Sequence, residues 1–363
     1  MAVTVEAVQA ALKGVVDANT HKDLISSKSA KNIRIEGADV ALDVELGYPA
    51  KTQIDALRKQ VIDCLRGLPG IGNVSANVYA KIVSHTAQRG VKLLPGVKNI
   101  IAIASGKGGV GKSTTAVNLA LALAQEGATV GVLDADIYGP SQPQMLGLTG
   151  QQPASTDGQS IEPLEAYGLQ VMSIGFMIDS ETPMVWRGPM VTQALEQLLK
   201  ETNWRDLDYL VIDLPPGTGD TQLTLAQKVP VTGAVIVTTP QDIALIDARK
   251  GLKMFEKVGI PILGIVENMS IHICSNCGHA EHIFGAGGAE RMCKDYDTEF
   301  LGALPLEMAI REMADNGKPT VVGAPDSKAD DIYRAIARRV AVKIAEKAKD
   351  MSTKFPSIVV QNT

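Results

Sequence analysis

Short aliphatic runs recur along most of the chain, separated by longer stretches in which apolar residues return every three or four positions. The runs predict strands and the stretches between them predict helices. From residue 99 onward the predicted strands cover 100–104, 130–133, 169–174, 209–212, 234–237, 262–266 and 300–302. Strands that alternate with helices indicate βαβ units, so we expect an α/β fold with a mostly parallel sheet.

The first 85 residues follow a different pattern, which predicts a small α+β domain. Its expected elements are an opening helix, a strand at 32–35, alternation at Val40, Leu42 and Val44, a helix at 52–65 and a strand at 74–83. Residues 86–98 contain Pro95 and Gly96 and are predicted to be a linker. The larger domain is then expected to occupy residues 99–347.

The last predicted helix covers residues 329–347 and carries one apolar stripe. Ile332, Ile336, Val340 and Ile344 follow one another at fourfold spacing. Such a stripe is typical of a helix that packs on a sheet, and a helix lying on a membrane surface is the alternative. We expect the tail, residues 348–363, to be mobile.

Length and composition restrict the class of protein. A chain of 363 residues corresponds to about two domains. With 45% hydrophobic and 21% charged residues, it is a folded globular protein rather than a disordered one. Aromatic residues make up only 4%, whereas there are 34 glycines, so aliphatic strands and glycine turns must build the core.

Charge and the N-terminal sequence indicate the compartment. The net charge of −5 and the lack of a long basic run argue against a nucleic-acid partner. The first 20 residues do not resemble a secretory signal, and no apolar run reaches the roughly 20 residues that span a bilayer. We therefore expect a cytoplasmic protein without a membrane partner. In that compartment four cysteines do not predict a disulfide framework.

The strongest motif follows the strand at 100–104. The segment Gly106-Lys-Gly-Gly-Val-Gly-Lys-Ser-Thr114 satisfies G-x-x-x-x-G-K-[ST] and leads into a predicted helix at 114–125, which is the context of a phosphate loop. Backbone N–H groups and the helix N-terminus would surround the phosphates of ATP. The expected ATP-binding residues are Gly106, Lys107, Gly108, Gly109, Val110, Gly111, Lys112, Ser113 and Thr114. Lys112 would contact the β and γ phosphates, and the Ser113 hydroxyl would bind Mg²⁺.

Further candidates stand on the loop and at strand ends. Lys107 is a lysine that an ordinary phosphate loop does not need, and it either reaches phosphates bound by a second subunit or is a solvated side chain. Asp213 follows an apolar strand and fits a carboxylate that holds Mg²⁺, directly or through water. Asp134 and Asp136 lie on a predicted switch loop, and Asp136 could orient or deprotonate the attacking water there. Asn268 ends another strand and could bind the adenine edge.

The pair Cys274 and Cys277 is flanked by three of the five histidines, His272, His279 and His282. Two thiolates can hold one metal centre but do not complete four ligands. Either two chains share one 4Fe-4S cluster, or one chain adds His279 and His282 to form a zinc site. A redox disulfide is the third alternative. The remaining cysteines, Cys64 and Cys293, are expected to be packed structural thiols.

Six segments occur in an order that resembles the Mrp (ApbC) family of iron-sulfur cluster carrier ATPases, over about residues 98–345. They are Gly106 to Thr114, Asp134-Ala-Asp-Ile-Tyr-Gly-Pro-Ser141, Val185-Trp-Arg-Gly-Pro-Met190, Asp213-Leu-Pro-Pro-Gly-Thr-Gly-Asp220, Glu267-Asn-Met-Ser270, and the pair Cys274 and Cys277. Residues 1–85 are similar to SufT-type assembly factors. Tyr48-Pro49 stands where related domains often carry Cys-Pro.

The resemblance implies a doubly wound, MinD-like P-loop NTPase fold and a homodimer that hydrolyses ATP slowly. It also implies that a 4Fe-4S cluster bridges Cys274 and Cys277 of two chains, with apo iron-sulfur proteins and assembly scaffold proteins as partners. Lys107 matches the family's signature lysine, Asp136 the first switch and Asp213 the second. The alternatives are a zinc-stabilised nucleotide switch and a positioning ATPase of the MinD or ParA kind.

Overall fold

The aliphatic strands of the sequence form two separate sheets in a computed structural model, which describes residues 3–85, 93–155, 157–177, 188–274 and 276–352. The chain divides into two units. The first contains residues 1–83 together with 125–127 and the chain from Ala341, and the second contains residues 84–124 and 128–340.

The first unit has a three-stranded sheet and two helices. Its elements are α1 (Val5–Leu12), β1 (Ala30–Glu36), β2 (Asp39–Leu46), α2 (Ile54–Arg66) and β3 (Val74–Ala80). The strands β1 and β2 are antiparallel, whereas β3 runs parallel to β2 after the crossover helix α2. Apolar side chains from both layers are almost fully excluded from solvent, among them Leu12, Leu42 and Val61. These elements confirm the predicted α+β fold.

Tyr48 occupies a buried position in this unit. It is only 2% exposed, and its hydroxyl donates to the carboxylate of buried Asp17, 2.7 and 2.8 Å from the two oxygens. A hydrogen bond to a charged acceptor stabilises a fold by about 1.5–3 kcal/mol. Tyr48 therefore has a structural contact of its own in this unit.

The second unit is built on eight strands. Its strands are β4 (Val97–Ala104), β5 (Val130–Asp134), β6 (Leu164–Ala166), β7 (Leu169–Ser173), β8 (Leu207–Asp213), β9 (Gly233–Thr238), β10 (Ile262–Glu267) and β13 (Phe300–Ala303), with β11 (His272–Ile273) and β12 (Ala280–Glu281) forming a separate hairpin. Its helices are α3 (Lys112–Gln125), α4 (Gln142–Met145), α5 (Gly188–Glu201), α6 (Asp220–Lys228), α7 (Asp242–Lys257), α8 (Gly288–Asp295), α9 (Met308–Asp315) and α10 (Thr320–Gly323). The last helix, α11 (Lys328–Ser352), begins in this unit.

The strand order in the large sheet is β13-β10-β9-β4-β8-β5-β7-β6. All neighbours are parallel except β6, which runs antiparallel to β7. The chain leaves β4 toward β8 and β5 on one side and later fills β9, β10 and β13 on the other. Ligands of open α/β sheets bind where the strand order reverses in this way. The fold therefore places a ligand site directly after β4, at the predicted phosphate loop.

The predicted elements and the observed ones differ mainly at their ends. All seven predicted strands of the large sheet are present, whereas β6, β11 and β12 are too short for the sequence pattern to indicate. Residues 86–92 of the predicted linker lie outside the described residues, and β4 already begins at Val97. The helix α11 continues to Ser352, five residues beyond its predicted end, and residues 353–363 of the predicted mobile tail lie outside the described residues.

The apolar stripe of α11 packs inside the protein. Ile336, Val340 and Ile344 are at most 1% exposed, and Ile336 lies against Gly302 of β13. Three of the four stripe residues are thus already buried in the fold and Ile332 is half-buried, which supports the interpretation of α11 as a helix on the sheet over the membrane-surface alternative. In the described part of the chain, no helix is both long and apolar enough to span a bilayer.

Candidate functional site

The phosphate loop joins β4 to α3 and depends on glycine at two places. A Cβ atom on Gly106 would lie 2.1 Å from the carbonyl carbon of Asp247 in α7, and one on Gly111 would lie 2.1 Å from the side-chain nitrogen of Asn268. Gly109 and Gly111 also have positive φ angles of 82° and 81°, which side chains disfavour. The loop is thus wedged between α7 and the end of β10.

Replacing Gly106 by alanine should disrupt this close approach. Overpacking of a tight contact costs about 1–3 kcal/mol or more, and here the contact is with helix backbone that cannot rotate away. We expect Gly106→Ala to lower the midpoint of thermal unfolding by several degrees. Gly108→Ala is the matched control, because the nearest atom to its added Cβ is 4.0 Å away. Equal midpoints for the two variants would contradict the packing seen around Gly106.

Lys112 is the first residue of α3, and its ammonium group lies among carboxylates. The side chain is 6% exposed, and Nζ lies 2.5 Å from Asp213 Oδ1 and 3.6 Å from Asp136 Oδ2. Nζ also donates to the Ser113 hydroxyl over 3.1 Å. The predicted residues Ser113, Asp136 and Asp213 are therefore adjacent to Lys112. Its positive charge offsets the negative charge of the two buried aspartates.

Two aspartates meet at the carboxyl edge of the sheet. Asp134 ends β5 and Asp213 ends β8, and the two residues are direct partners in the parallel ladder. Both side chains are fully buried. Burial and the neighbouring Asp213 charge raise the pKa of Asp134 to about 7. The ends of β5 and β8 thus bring these two carboxylates together at one edge of the sheet.

Asp134 organises the loop that follows it. Its carboxylate accepts hydrogen bonds from the backbone nitrogens of Asp136, Ser141 and Gln142 over 3.0–3.1 Å, and from the Ser173 hydroxyl over 3.2 Å. The loop is therefore folded around this one side chain. Asp136, 8% exposed, faces Lys112 from the same loop, and burial raises the pKa of its carboxyl.

The second glycine-rich loop begins directly after Asp213. The nitrogen of Gly217, at a φ of 101°, donates to the carbonyl of Ser105 at the start of the phosphate loop over 3.0 Å. The side-chain nitrogen of Gln222 donates to the carbonyls of Pro215 and Pro216. This loop is therefore held on both sides, by the phosphate loop and by α6.

Lys107 and Asn268, two further predicted ATP-binding residues, have different contacts at the phosphate loop. Lys107 is half-buried, and its carbonyl accepts from the Ser105 hydroxyl over 2.9 Å. Asn268 is 9% exposed, and its side-chain nitrogen donates to the carbonyl of Val110 over 2.9 Å. Asn268 therefore contacts the phosphate loop itself, and its proposed contact with adenine stays a prediction.

One residue of the site was missed by sequence reasoning. Gln142, the first residue of α4, is completely buried, and its side-chain nitrogen donates to the Ser113 carbonyl over 3.1 Å and to Asp213 Oδ2 over 3.0 Å. No motif marks this position. The only signal is its place next to the segment that ends at Ser141.

The cysteine pair lies on the hairpin of β11 and β12. The backbone closes the turn through hydrogen bonds from Cys274 to the His279 carbonyl and from Gly278 to the Cys274 carbonyl. Cys277 is exposed and Cys274 is half-buried. Backbone N–H groups of Cys277 and Asn276 donate toward the Cys274 sulfur and lower the pKa of its thiol. A thiolate at this position is suited to bind a metal centre.

Two of the three histidines around the pair contact backbone carbonyls. Nδ1 of His272 lies 2.9 Å from the Leu306 carbonyl, and Nδ1 of His282 lies 2.7 Å from the Ser270 carbonyl. Within the described ranges of the chain, no group of three or more His, Cys, Asp or Glu side chains is arranged to hold one metal ion.

The other two cysteines are packed, as predicted. Cys293 is 5% exposed in α8, and burial strongly raises the pKa of its thiol. Cys64 in α2 is half-buried, and its Sγ donates to the Ala11 carbonyl over 3.3 Å. Neither thiol is placed as a ligand.

A short segment joins the phosphate loop to the cysteine hairpin. At its centre Asn268 holds Val110, and at its end the Ser270 carbonyl holds His282 of the hairpin. The Glu267 carboxylate at its start accepts from the Ser270 hydroxyl and from the first turn of α8, at Ala289, both over 2.8 Å. Three of the four residues 267–270 thus contact the phosphate loop, the hairpin and the helix behind it.

Two family models match the chain. One, described as the NUBPL iron-transfer P-loop NTPase of the ParA group, matches residues 96–341. The other, described as an iron-sulfur cluster assembly protein, matches residues 5–78. Together these matches cover both units.

Individual relatives and solved structures agree with the models. An iron-sulfur cluster carrier protein of Pseudomonas fragi is 61% identical over 75% of this chain and 96% of its own length. The Escherichia coli K12 protein of the same description is 56% identical over 84% of this chain and 84% of its own length.

Among solved structures, a nucleotide-binding protein of Archaeoglobus fulgidus in complex with ADP is similar at 39% identity and a TM-score of 0.55, over 61% of this chain and 88% of that one. The cell division ATPase MinD of Pyrococcus furiosus is similar at 25% identity and a TM-score of 0.51, over 67% of this chain and 98% of that one. The predicted MinD-like α/β fold is confirmed.

Proposed function

Because the chain belongs to the iron-transfer P-loop NTPases of the ParA type, the Mrp/ApbC iron-sulfur cluster carriers, with an iron-sulfur cluster assembly domain at its N-terminus, we propose that it carries a 4Fe-4S cluster between two copies of itself and couples its transfer to ATP hydrolysis. The observation that carries this proposal is the hairpin with Cys274 and Cys277. It offers two thiols, so a cluster with four thiolates requires a second chain.

The residues after β4 fit a nucleotide with Mg²⁺. The Ser113 hydroxyl and the Asp213 carboxylate are hard oxygen donors of the kind that Mg²⁺ prefers, with Asp213 acting directly or through water. Bound Mg²⁺ would neutralise charge on the phosphates. The open space around the Cβ position of Gly109 leaves room for phosphate oxygens at the loop backbone.

The charged side chains have separate tasks in hydrolysis. Lys112 exchanges its contact with Asp213 for the β and γ phosphates. Asp136 orients or deprotonates the attacking water from the switch loop, and its raised pKa favours accepting that proton. Lys107 reaches the phosphates bound by the partner subunit, and Asn268 contacts the adenine.

The cluster is the cargo of the cysteine hairpin. The backbone donors that lower the pKa of the Cys274 thiol favour its thiolate form, and Cys277 is exposed to solvent. Coupling to ATP needs a physical link between this hairpin and the nucleotide. The segment of residues 267–270 supplies one, because Asn268 and Ser270 hold the phosphate loop and the hairpin at neighbouring positions. The proposed recipients are apo iron-sulfur proteins, and assembly scaffold proteins are the proposed donors.

Anaerobic reconstitution of the full chain with iron and sulfide tests this function. We expect a brown dimer with about four iron and four sulfide atoms per two chains, as one shared cluster requires. We also expect the dimer to restore activity to an apo-enzyme that needs a 4Fe-4S cluster, faster with MgATP than without it. A colourless protein with one zinc ion per chain would instead support a zinc-stabilised nucleotide switch.

A further inference from the structure

Gln142 lies in the wall of the proposed magnesium site without belonging to any motif. It is the first residue of α4, and its backbone nitrogen donates to the Asp134 carboxylate over 3.0 Å. This contact fixes where the side chain begins. The side chain is fully buried and extends toward α3 and the end of β8.

The orientation of the Gln142 amide is determined by its neighbours. Its side-chain nitrogen has two hydrogens, and it lies within 3.1 Å of two groups that can only accept, the Ser113 carbonyl and the Asp213 carboxylate. A flipped amide would place an acceptor against both of them. The nitrogen therefore bridges exactly the two residues to which we assign Mg²⁺.

Packing alone does not account for an amide at this position. The Gln142 oxygen is buried and has no hydrogen-bond partner in the described part of the chain. A buried acceptor without a donor destabilises the fold, and methionine would fill a similar space without that penalty. The observed contribution of the amide is the pair of hydrogen bonds from its nitrogen.

The two oxygens of Asp213 have different partners. Oδ2 accepts from Gln142, and Oδ1 lies against Lys112. When Lys112 moves to the phosphates, Gln142 still holds Oδ2, so Oδ1 is the oxygen that remains directed at the vacated space. The same amide fixes the backbone of Ser113, whose hydroxyl is the other proposed ligand.

We propose that Gln142 is a positioning residue for Mg²⁺, which fixes Ser113 and Asp213 in the geometry that binds the metal with the nucleotide. This inference rests on the assignment of those two residues to Mg²⁺ under the proposed function. It predicts that a variant of Gln142 loses part of the affinity that Mg²⁺ adds to nucleotide binding and keeps the affinity for the nucleotide without metal.

The test measures the affinity for ADP by calorimetry, once with Mg²⁺ and once with EDTA, on the full chain. We expect Mg²⁺ to raise the affinity of the unaltered protein for ADP. In Gln142→Met the factor by which Mg²⁺ raises this affinity should be roughly tenfold smaller, which corresponds to about 1.4 kcal/mol of binding free energy. Its affinity in EDTA should stay within about twofold. Gln142→Asn keeps the amide but is one methylene too short to bridge both acceptors, and it should lose part of the gain.

Gln144→Met is the matched control from the same helix. Gln144 is exposed, and its side-chain nitrogen donates to the Asp315 carbonyl over 2.6 Å, away from the site. It should retain the full gain from Mg²⁺. If Gln142→Met loses the same affinity for ADP with Mg²⁺ and with EDTA, the role of Gln142 is merely structural. If Mg²⁺ raises the affinity of Gln142→Met as much as that of the unaltered protein, the contact of Gln142 does not affect the metal. Either result overturns the inference, whereas an unaltered protein that gains nothing from Mg²⁺ would overturn the metal assignment instead.

Discussion

Replacing Cys277 by alanine should leave the protein colourless and free of iron after anaerobic reconstitution, and Cys274→Ala should do the same. If each chain contributes two thiolates to one cluster, a dimer of either variant has only two thiolates left, and two cannot hold a 4Fe-4S cluster. We expect bound iron to fall from about four per dimer to less than about a tenth of that amount. The measurement is iron and sulfide content together with the visible absorption spectrum.

Cys64→Ala is the control for this result, because Cys64 packs against the Ala11 carbonyl in the first unit and is not placed as a ligand. It should bind as much iron as the unaltered protein. A mixed dimer with one Cys274→Ala, Cys277→Ala chain sharpens the test, since sharing predicts that it binds no cluster. A mixed dimer with half of the normal iron would show that each chain binds its own metal centre and would refute the bridging arrangement.

Replacing Lys112 by alanine should abolish ATP hydrolysis, with a loss of at least about 100-fold in the rate. Lys112 supplies the charge that faces the β and γ phosphates in the proposed function. It also offsets the buried carboxylate of Asp213, and removing one partner of a buried ion pair costs about 3–5 kcal/mol. Steady-state phosphate release measures the first effect, and denaturant unfolding measures the second.

A double variant separates the two effects. Asp213→Asn combined with Lys112→Ala removes both charges of the pair and should regain stability while hydrolysis stays lost. Lys107→Ala is the lysine comparison for stability and not for hydrolysis, because the ion pair with Asp213 belongs to Lys112 while the proposed function has Lys107 act on the phosphates of the partner subunit. It should bind ADP normally and lose hydrolysis. Normal hydrolysis by Lys112→Ala would disprove the assignment of the phosphate loop.

The parts of the site that are contiguous in sequence could be predicted. The phosphate loop from Gly106 to Thr114 and the pair Cys274 and Cys277 each depend on local spacing. Asp213 could be placed because the carboxyl ends of parallel strands share one edge of a sheet. The strands themselves were predictable because they are buried on both faces and therefore appear as continuous aliphatic runs.

The remaining parts depend on contacts between distant segments. Gln142 bonds to Ser113 and Asp213, which are 29 and 71 positions away, and nothing in its own neighbourhood indicates a buried amide. The contact of Asn268 with Val110 spans 158 positions. The short edge strand β6 has three residues, fewer than a hydrophobic pattern needs to be recognised.

The ion pair between Lys112 and Asp213 means that the protein itself supplies the counterion of this buried carboxylate. A nucleotide that draws Lys112 onto its phosphates leaves a buried carboxylate uncompensated unless another cation arrives. Free ATP would have to bear that electrostatic penalty, whereas ATP that enters with Mg²⁺ replaces one cation by another. If the proposed function holds, charge balance would therefore favour the metal-bound over the metal-free nucleotide at this site.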